Sequence, residues 1–136
     1  MRSAIVFAAL LTSLWTGTAG AGDKAPTHKM TQAASFLMVE PFYTTVFEDD
    51  RAVGMLMVGF GLDIPDPALR ADAEAGMPLL RDYYLRNLSS FSANAVRLSE
   101  QPDVNEIAAR LQRVTDRALH RKGARVLLAQ VALRPR

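Results

Sequence analysis

The chain has 136 residues, 49% of them apolar and 22% charged, which points to one globular domain and excludes a disordered or fibrous polypeptide. A formal net charge of +2 is too small for the electrostatic footprint of a nucleic-acid binder. Cysteine is absent, which excludes a disulfide framework and thiol chemistry but leaves the compartment open.

Met1-Arg2-Ser3 is a short basic start, and Ala4 to Trp15 is an apolar run of 12 residues. Small residues follow and end in Ala19-x-Ala21. That order describes a secretory signal peptide over residues 1–21. The alternative is a short N-terminal membrane anchor, because no charge falls between Ala4 and Gly22, a stretch of 19 residues that barely spans a bilayer. Either reading puts the rest of the chain in the periplasm or on the periplasmic side of the inner membrane. Residues 22–32 are polar and read as a flexible leader, in which His28 has no companion ligands for a metal.

The domain is expected over residues 33–136. Ala33 to Phe47 is the first strand region, and Pro41 inside it calls for an edge strand or a break. Glu48-Asp49-Asp50-Arg51 is a charged turn, and the pairing of Asp49 with Asp50 reads as a solvated tip sooner than a cation site. Arg51 to Asp63 is the strand on which the rest is organised. Leu56, Val58, Phe60 and Leu62 alternate with Met55, Met57, Gly59 and Gly61, a period of two with bulk on one face. The glycine face leaves room for another backbone, with a helix across the sheet as the expected occupant. Together the two strands predict an antiparallel hairpin.

Asp66 and Pro67 are suited to the cap and first position of a helix. Leu69, Ala73, Met77, Leu80, Tyr84 and Leu88 continue it at helical spacing, with a kink or short break expected at Gly76 and Pro78. Ser89, Ser90, Ser92 and Asn94 close it, and Tyr83 and Tyr84 read as packing residues with wet hydroxyls. Asp103 and Glu106 form a capping box for a second helix. Its apolar stripe runs through Val104, Ile107, Ala108, Leu111, Val114, Ala118 and Leu119, and Lys122-Gly123 is the expected stop. His120 falls in the last turn as a structural cation. Arg110, Arg113, Arg117 and Arg121 line another face and form the candidate interaction surface. Acids gather before Ala75 and arginines after Asn94, a split suited to head-to-tail packing of identical subunits or to an anionic partner. Ala124 to Leu133 is the last strand, apolar on both faces and so expected between other elements. The order is β-β-α-α-β, an α+β domain with an antiparallel sheet packed by two helices.

Phe36-Leu37-Met38-Val39-Glu40-Pro41-Phe42 resembles the opening of the FliL family of flagellar basal-body-associated proteins. The hairpin with its long apolar second strand is similar. So are Met77-Pro78-Leu79-Leu80-Arg81-Asp82, the following Tyr83-Tyr84-Leu85-Arg86-Asn87-Leu88-Ser89, and the closing Val126-Leu127-Leu128-Ala129-Gln130-Val131. The resemblance covers roughly Ala34 to Leu133. It implies a stomatin-like fold, a place in the periplasm at the flagellar basal body, association with stator or basal-body proteins in support of motility, and a homo-oligomeric ring. It implies no catalysis, no cofactor and no metal. The chain departs from the family in lacking a basic cytoplasmic tail and a long transmembrane helix. A soluble periplasmic module that takes a ligand or peptide between sheet and helices is the alternative. An enzyme would need convergent titratable groups, and the chain offers two histidines and scattered acids.

Overall fold

The computed structural model describes residues 33–136, so the signal or anchor segment and the polar leader lie outside the described residues. The elements are β1 (Phe36–Glu48), β2 (Arg51–Asp63), α1 (Pro67–Ala75), α2 (Met77–Ala95), α3 (Val104–Ala118) and β3 (Arg125–Pro135). The three strands form one antiparallel sheet in the order β1-β2-β3, giving the expected α+β domain.

The expected break in the first helical stretch falls at Gly76, whose N–H bonds back to the carbonyls of Asp72 and Glu74 and ends α1. Pro78 then occupies the first turn of α2, where a missing N–H costs nothing. Asp66 caps α1 through the Ala68 N–H, and Asp103 caps α3 through the N–H groups of Asn105 and Glu106. The capping box forms only in this half, because the Glu106 carboxylate turns to Arg110 at 2.7 Å instead of back to its cap.

The hairpin turn has Asp49 and Asp50 at φ 48° and 61°, between paired Glu48 and Arg51. Two left-handed residues make the turn whose twist matches the strands, and aspartate is among the residues that tolerate it. Glu48 itself is not a tip residue: its Oε1 accepts from the Leu98 N–H at 2.8 Å and fastens the loop after α2 to the hairpin.

Two bulges explain the outer strands. In β1 the register shifts between Val39 and Phe42, at Glu40-Pro41, so Leu37 and Val39 point inward before it and Phe42, Thr44 and Val46 after it. In β3 the shift opposite Gly59 and Phe60 leaves Ala129 as the extra residue. Val126 and Leu128 pack inward on one side of it, Val131 and Leu133 on the other. The strand expected between other elements is therefore an edge strand. Its apolar residues fill both sequence phases because one inserted residue switches the phase, not because both faces are buried. The central strand is β2.

Helices α2 and α3 cover the bulky face of the sheet, α2 on β1 and α3 on β3, and α1 packs against α2. Leu56, Val58, Phe60 and Leu62 are buried there, and Phe42, Phe60 and Tyr84 form an aromatic cluster with centroids 4.9–6.0 Å apart. The glycine face receives no helix. A Cβ on Gly61 would run into the Phe36 ring, which occupies the room the glycine leaves.

Candidate interaction groove

The helical layer leaves an open groove of about 690 Å³ between α2 and α3. It does not lie between sheet and helices, where the alternative reading expected it, because that layer is filled by the core. On α2, Leu79, Tyr83, Arg86, Asn87 and Ser90 recur at helical spacing and form one wall; Val114, Arg117 and Ala118 of α3 form the other, and His120 closes one end. The walls are mainly apolar with cations at the rim. Leu79 and Tyr83 are both largely exposed, an unusual use of large side chains on a helix surface. The Asn87 Oδ1 is buried in the wall and has no hydrogen-bond partner among the described residues. A buried acceptor left without a partner costs about 1–3 kcal/mol.

The four stripe arginines each have a different setting. Arg110 is packed: its guanidinium carbon lies 5.1 Å from the Phe91 ring centroid, and its Nε is 2.7 Å from Glu106 Oε1 with its N–H not aligned on that oxygen. Arg121 lies beyond the end of α3 and reaches Asp66 at 3.2 Å and Asp72 at 4.0 Å, tying this loop to α1. Arg113 is exposed and 3.6 Å from Glu106. Arg117 lies in the groove wall and makes no ion pair among the described residues. Arg113 and Arg117 are thus the stripe cations most open to a partner. Part of the acid cluster is engaged within the chain as well, Asp63 with Arg125 and Glu40 with Arg81, both pairs exposed enough to contribute little.

Helix α3 stops at Ala118, earlier than the Lys122-Gly123 stop read from the sequence. His120 takes the left-handed position at φ 55° and its N–H bonds to the Arg117 carbonyl; Gly123, at φ 124°, serves the following loop. His120 is therefore a strained cap residue, exposed at the end of the groove.

Behind the groove, residues the sequence did not single out hold α3 in place. Gln112 donates from Nε2 to the Ala124 carbonyl at 2.7 Å and to Asp116 at 2.9 Å, and accepts from the Val126 N–H at 2.9 Å through Oε1. Ser92, read as one of the residues that close the helix, lies within α2, is fully buried and shares a hydrogen bond with buried Thr44 of β1. Tyr84 is buried too, without the wet hydroxyl expected of it, and its oxygen is 2.7 Å from Thr115 Oγ1. Burial pushes the Tyr84 phenol above its ordinary value; the Thr115 bond works the other way, and the Asp116 charge adds to the rise. Only helical periodicity plus an exposed Leu or Tyr could have flagged the groove in advance.

Among the described residues no group of three or more metal-ligating side chains converges, and no helix is long and apolar enough to cross a membrane. The fold and groove define a small α+β domain with an apolar, cation-rimmed cleft on its helical layer. No protein-family model matches the chain, and no curated protein matches it.

Proposed function

We propose that the chain is a non-enzymatic, exported interaction protein of the flagellar basal body, acting beside the stator in support of motility. The observation that carries this reading is the order of elements: a long hairpin, a helical segment broken at Gly76, a second helix and a closing strand in one antiparallel sheet. It is the arrangement implied by the resemblance to FliL proteins over Ala34 to Leu133. The test is deletion of the gene together with a fluorescent fusion in motile cells. Reduced swimming in soft agar, with foci at flagellar bases, is the expected result. Normal swimming with label spread evenly around the cell would overturn it.

A second reading, a periplasmic module that binds an acidic peptide or ligand, is favoured by the groove. Arg117 offers a charge, and Leu79 and Tyr83 an apolar wall. Asn87→Leu, which keeps the number and branching of side-chain heavy atoms and removes the amide, should raise stability by about 1 kcal/mol in calorimetry because it removes the unpaired acceptor, and should weaken binding of an acidic peptide that uses the amide N–H. A less stable variant with unchanged binding would count against the groove as a site.

A further inference from the structure

The helices cover one face of the sheet, and the other face carries exposed apolar side chains: Met38 is 60% exposed and Tyr43 57%, with Phe47, Met55 and Leu127 also open. The strand register arranges them in rows. Met38, Gly61 and Leu127 form one row; Tyr43, Met57 and Ala132 another; Thr45, Met55 and Arg134 a third. Along β2 and β3 the middle of this face carries no charge, Glu40 at the β1 edge of the middle row is paired with Arg81 of α2, and the other charged residues sit at the ends, the layout of an interface with an apolar centre and a polar rim. A contiguous exposed apolar patch on a small domain marks a docking surface.

We infer that the occupant of this face is a second copy of the same chain, packed sheet to sheet about a two-fold axis running along β2. Two features select this partner and this axis. The first is shape. A two-fold along β2 lays β1 of one copy over β3 of the other, at the same level. Met38 then meets Leu127, bulky Tyr43 meets small Ala132, and Met57 meets its own symmetry mate over a centre kept flat by Gly59. The second is charge. At the hairpin end of the sheet, Asp49 and Asp50 form the turn from β1 to β2, next to exposed Arg51, while Arg134 and Arg136 sit at the β3 corner, Arg136 held there by its N–H to the Val53 carbonyl. None of Asp49, Asp50, Arg134 and Arg136 makes an ion pair among the described residues. The axis along β2 brings the Asp49-Asp50 turn of each copy to the basic corner of the other. An axis across the strands would instead set Arg134 and Arg136 of one copy near Arg125 of the other, like against like.

Three strands about 4.8 Å apart and about ten residues long give a footprint of roughly 450 Å² per copy. That lies at the small end of specific interfaces, so the dimer forms and dissociates with concentration. A two-fold interface of this kind closes on itself and stops at two copies. The inference stands apart from the flagellar reading, since it needs only the sheet face.

The chain has no cysteine, so single cysteines report position without background. Sheets that stack about 10 Å apart leave facing Cβ atoms too distant for a disulfide, so a short membrane-permeant bis-maleimide is the probe, applied to the full-length protein in cells. Met55→Cys and Met57→Cys both lie on the axis. Each is expected to link to itself in about tenfold greater yield than Leu79→Cys in the helical groove, and Met38→Cys to link efficiently only with Leu127→Cys chains. Met57→Lys is expected to weaken the dimer about tenfold or more in sedimentation, with an unchanged circular dichroism spectrum. Linking at Met57→Cys without linking at Met55→Cys would place the axis across the strands and overturn the proposal. Yields no higher than at Leu79→Cys for both, as when lipid or another protein covers the face, would overturn it as well.

Discussion

Thr115 has a single hydroxyl proton and gives it to the Leu111 carbonyl at 2.8 Å, so the Tyr84 hydroxyl must be the donor in the bond between them. Deprotonating Tyr84 would place a charge in the core, and burial accordingly raises its folded-state pKa above the ordinary 10.0, with the Asp116 charge adding to the rise. The native protein then holds this proton where the unfolded chain releases it. Stability from this source is whole below about pH 10 and falls as pH climbs above that value. Tyr84→Phe is expected to cost about 1 kcal/mol at neutral pH and to flatten the loss of stability on the alkaline side, read by urea titrations at stepped pH. His120 makes the opposite case. Its left-handed backbone costs about 1–2 kcal/mol in a non-glycine residue, part of which glycine returns in unfolded-state entropy. His120→Gly is expected to gain about 0.5 kcal/mol, a rise in Tm of roughly 2–4 °C, while His120→Gln moves it little. A drop in Tm for the glycine variant would show that the imidazole, not the backbone, holds this turn.

At the scale of elements, the strands show how far the sequence could be read. The alternation of Leu56, Val58, Phe60 and Leu62 runs unbroken because the extra residues at the bulges opposite it belong to β1 and β3, and it correctly marked the buried face. Pro41 announced the irregularity in β1, since it cannot donate to a ladder. Ala129 announced nothing: an alanine fits a regular strand as well as a bulge, so the phase switch in β3 was invisible and an edge strand looked buried. The caps at Asp66 and Asp103 were legible because capping depends on local chemistry. Gln112 was not, because its partners lie 12 and 14 residues onward and only the fold brings them near. Gln112 also protects the sheet, since its Oε1 engages the Val126 N–H on the open edge of β3. Gln112→Ala is expected to cost about 2–3 kcal/mol, from roughly 1 kcal/mol for each lost bond. Hydrogen exchange at Val126 should quicken more than exchange in the middle of β2. Uniform quickening across the sheet would mean that Gln112 supports global stability and not this edge.

For the whole molecule, the helical and sheet sides offer two separate surfaces, and one variant distinguishes them. The arginine stripe was legible as spacing, but spacing could not show that Arg110 is packed on Phe91 or that Arg121 is held by Asp66. That left Arg113 and Arg117 facing outward beside a groove whose α2 wall the sequence did not reveal. Reversing both to glutamate should leave folding nearly intact, since exposed pairs contribute only about 0–1 kcal/mol and the 3.6 Å contact of Arg113 with Glu106 is the one ion pair lost among the described residues. If these cations attract an anionic partner, such as an acidic segment of a stator protein, the double variant should bind it more weakly. The wild-type interaction should itself weaken as salt rises through about 0.1 M, where screening shortens to about 10 Å. Cross-linking through Met57→Cys should not change, because that residue lies on the far side of the sheet from the helices. Loss of partner binding with cross-linking intact would assign the partner to the helical layer. Loss of both would mean that the reversed charges disturb the fold. Full motility and unchanged binding would reduce the stripe to a solvated face.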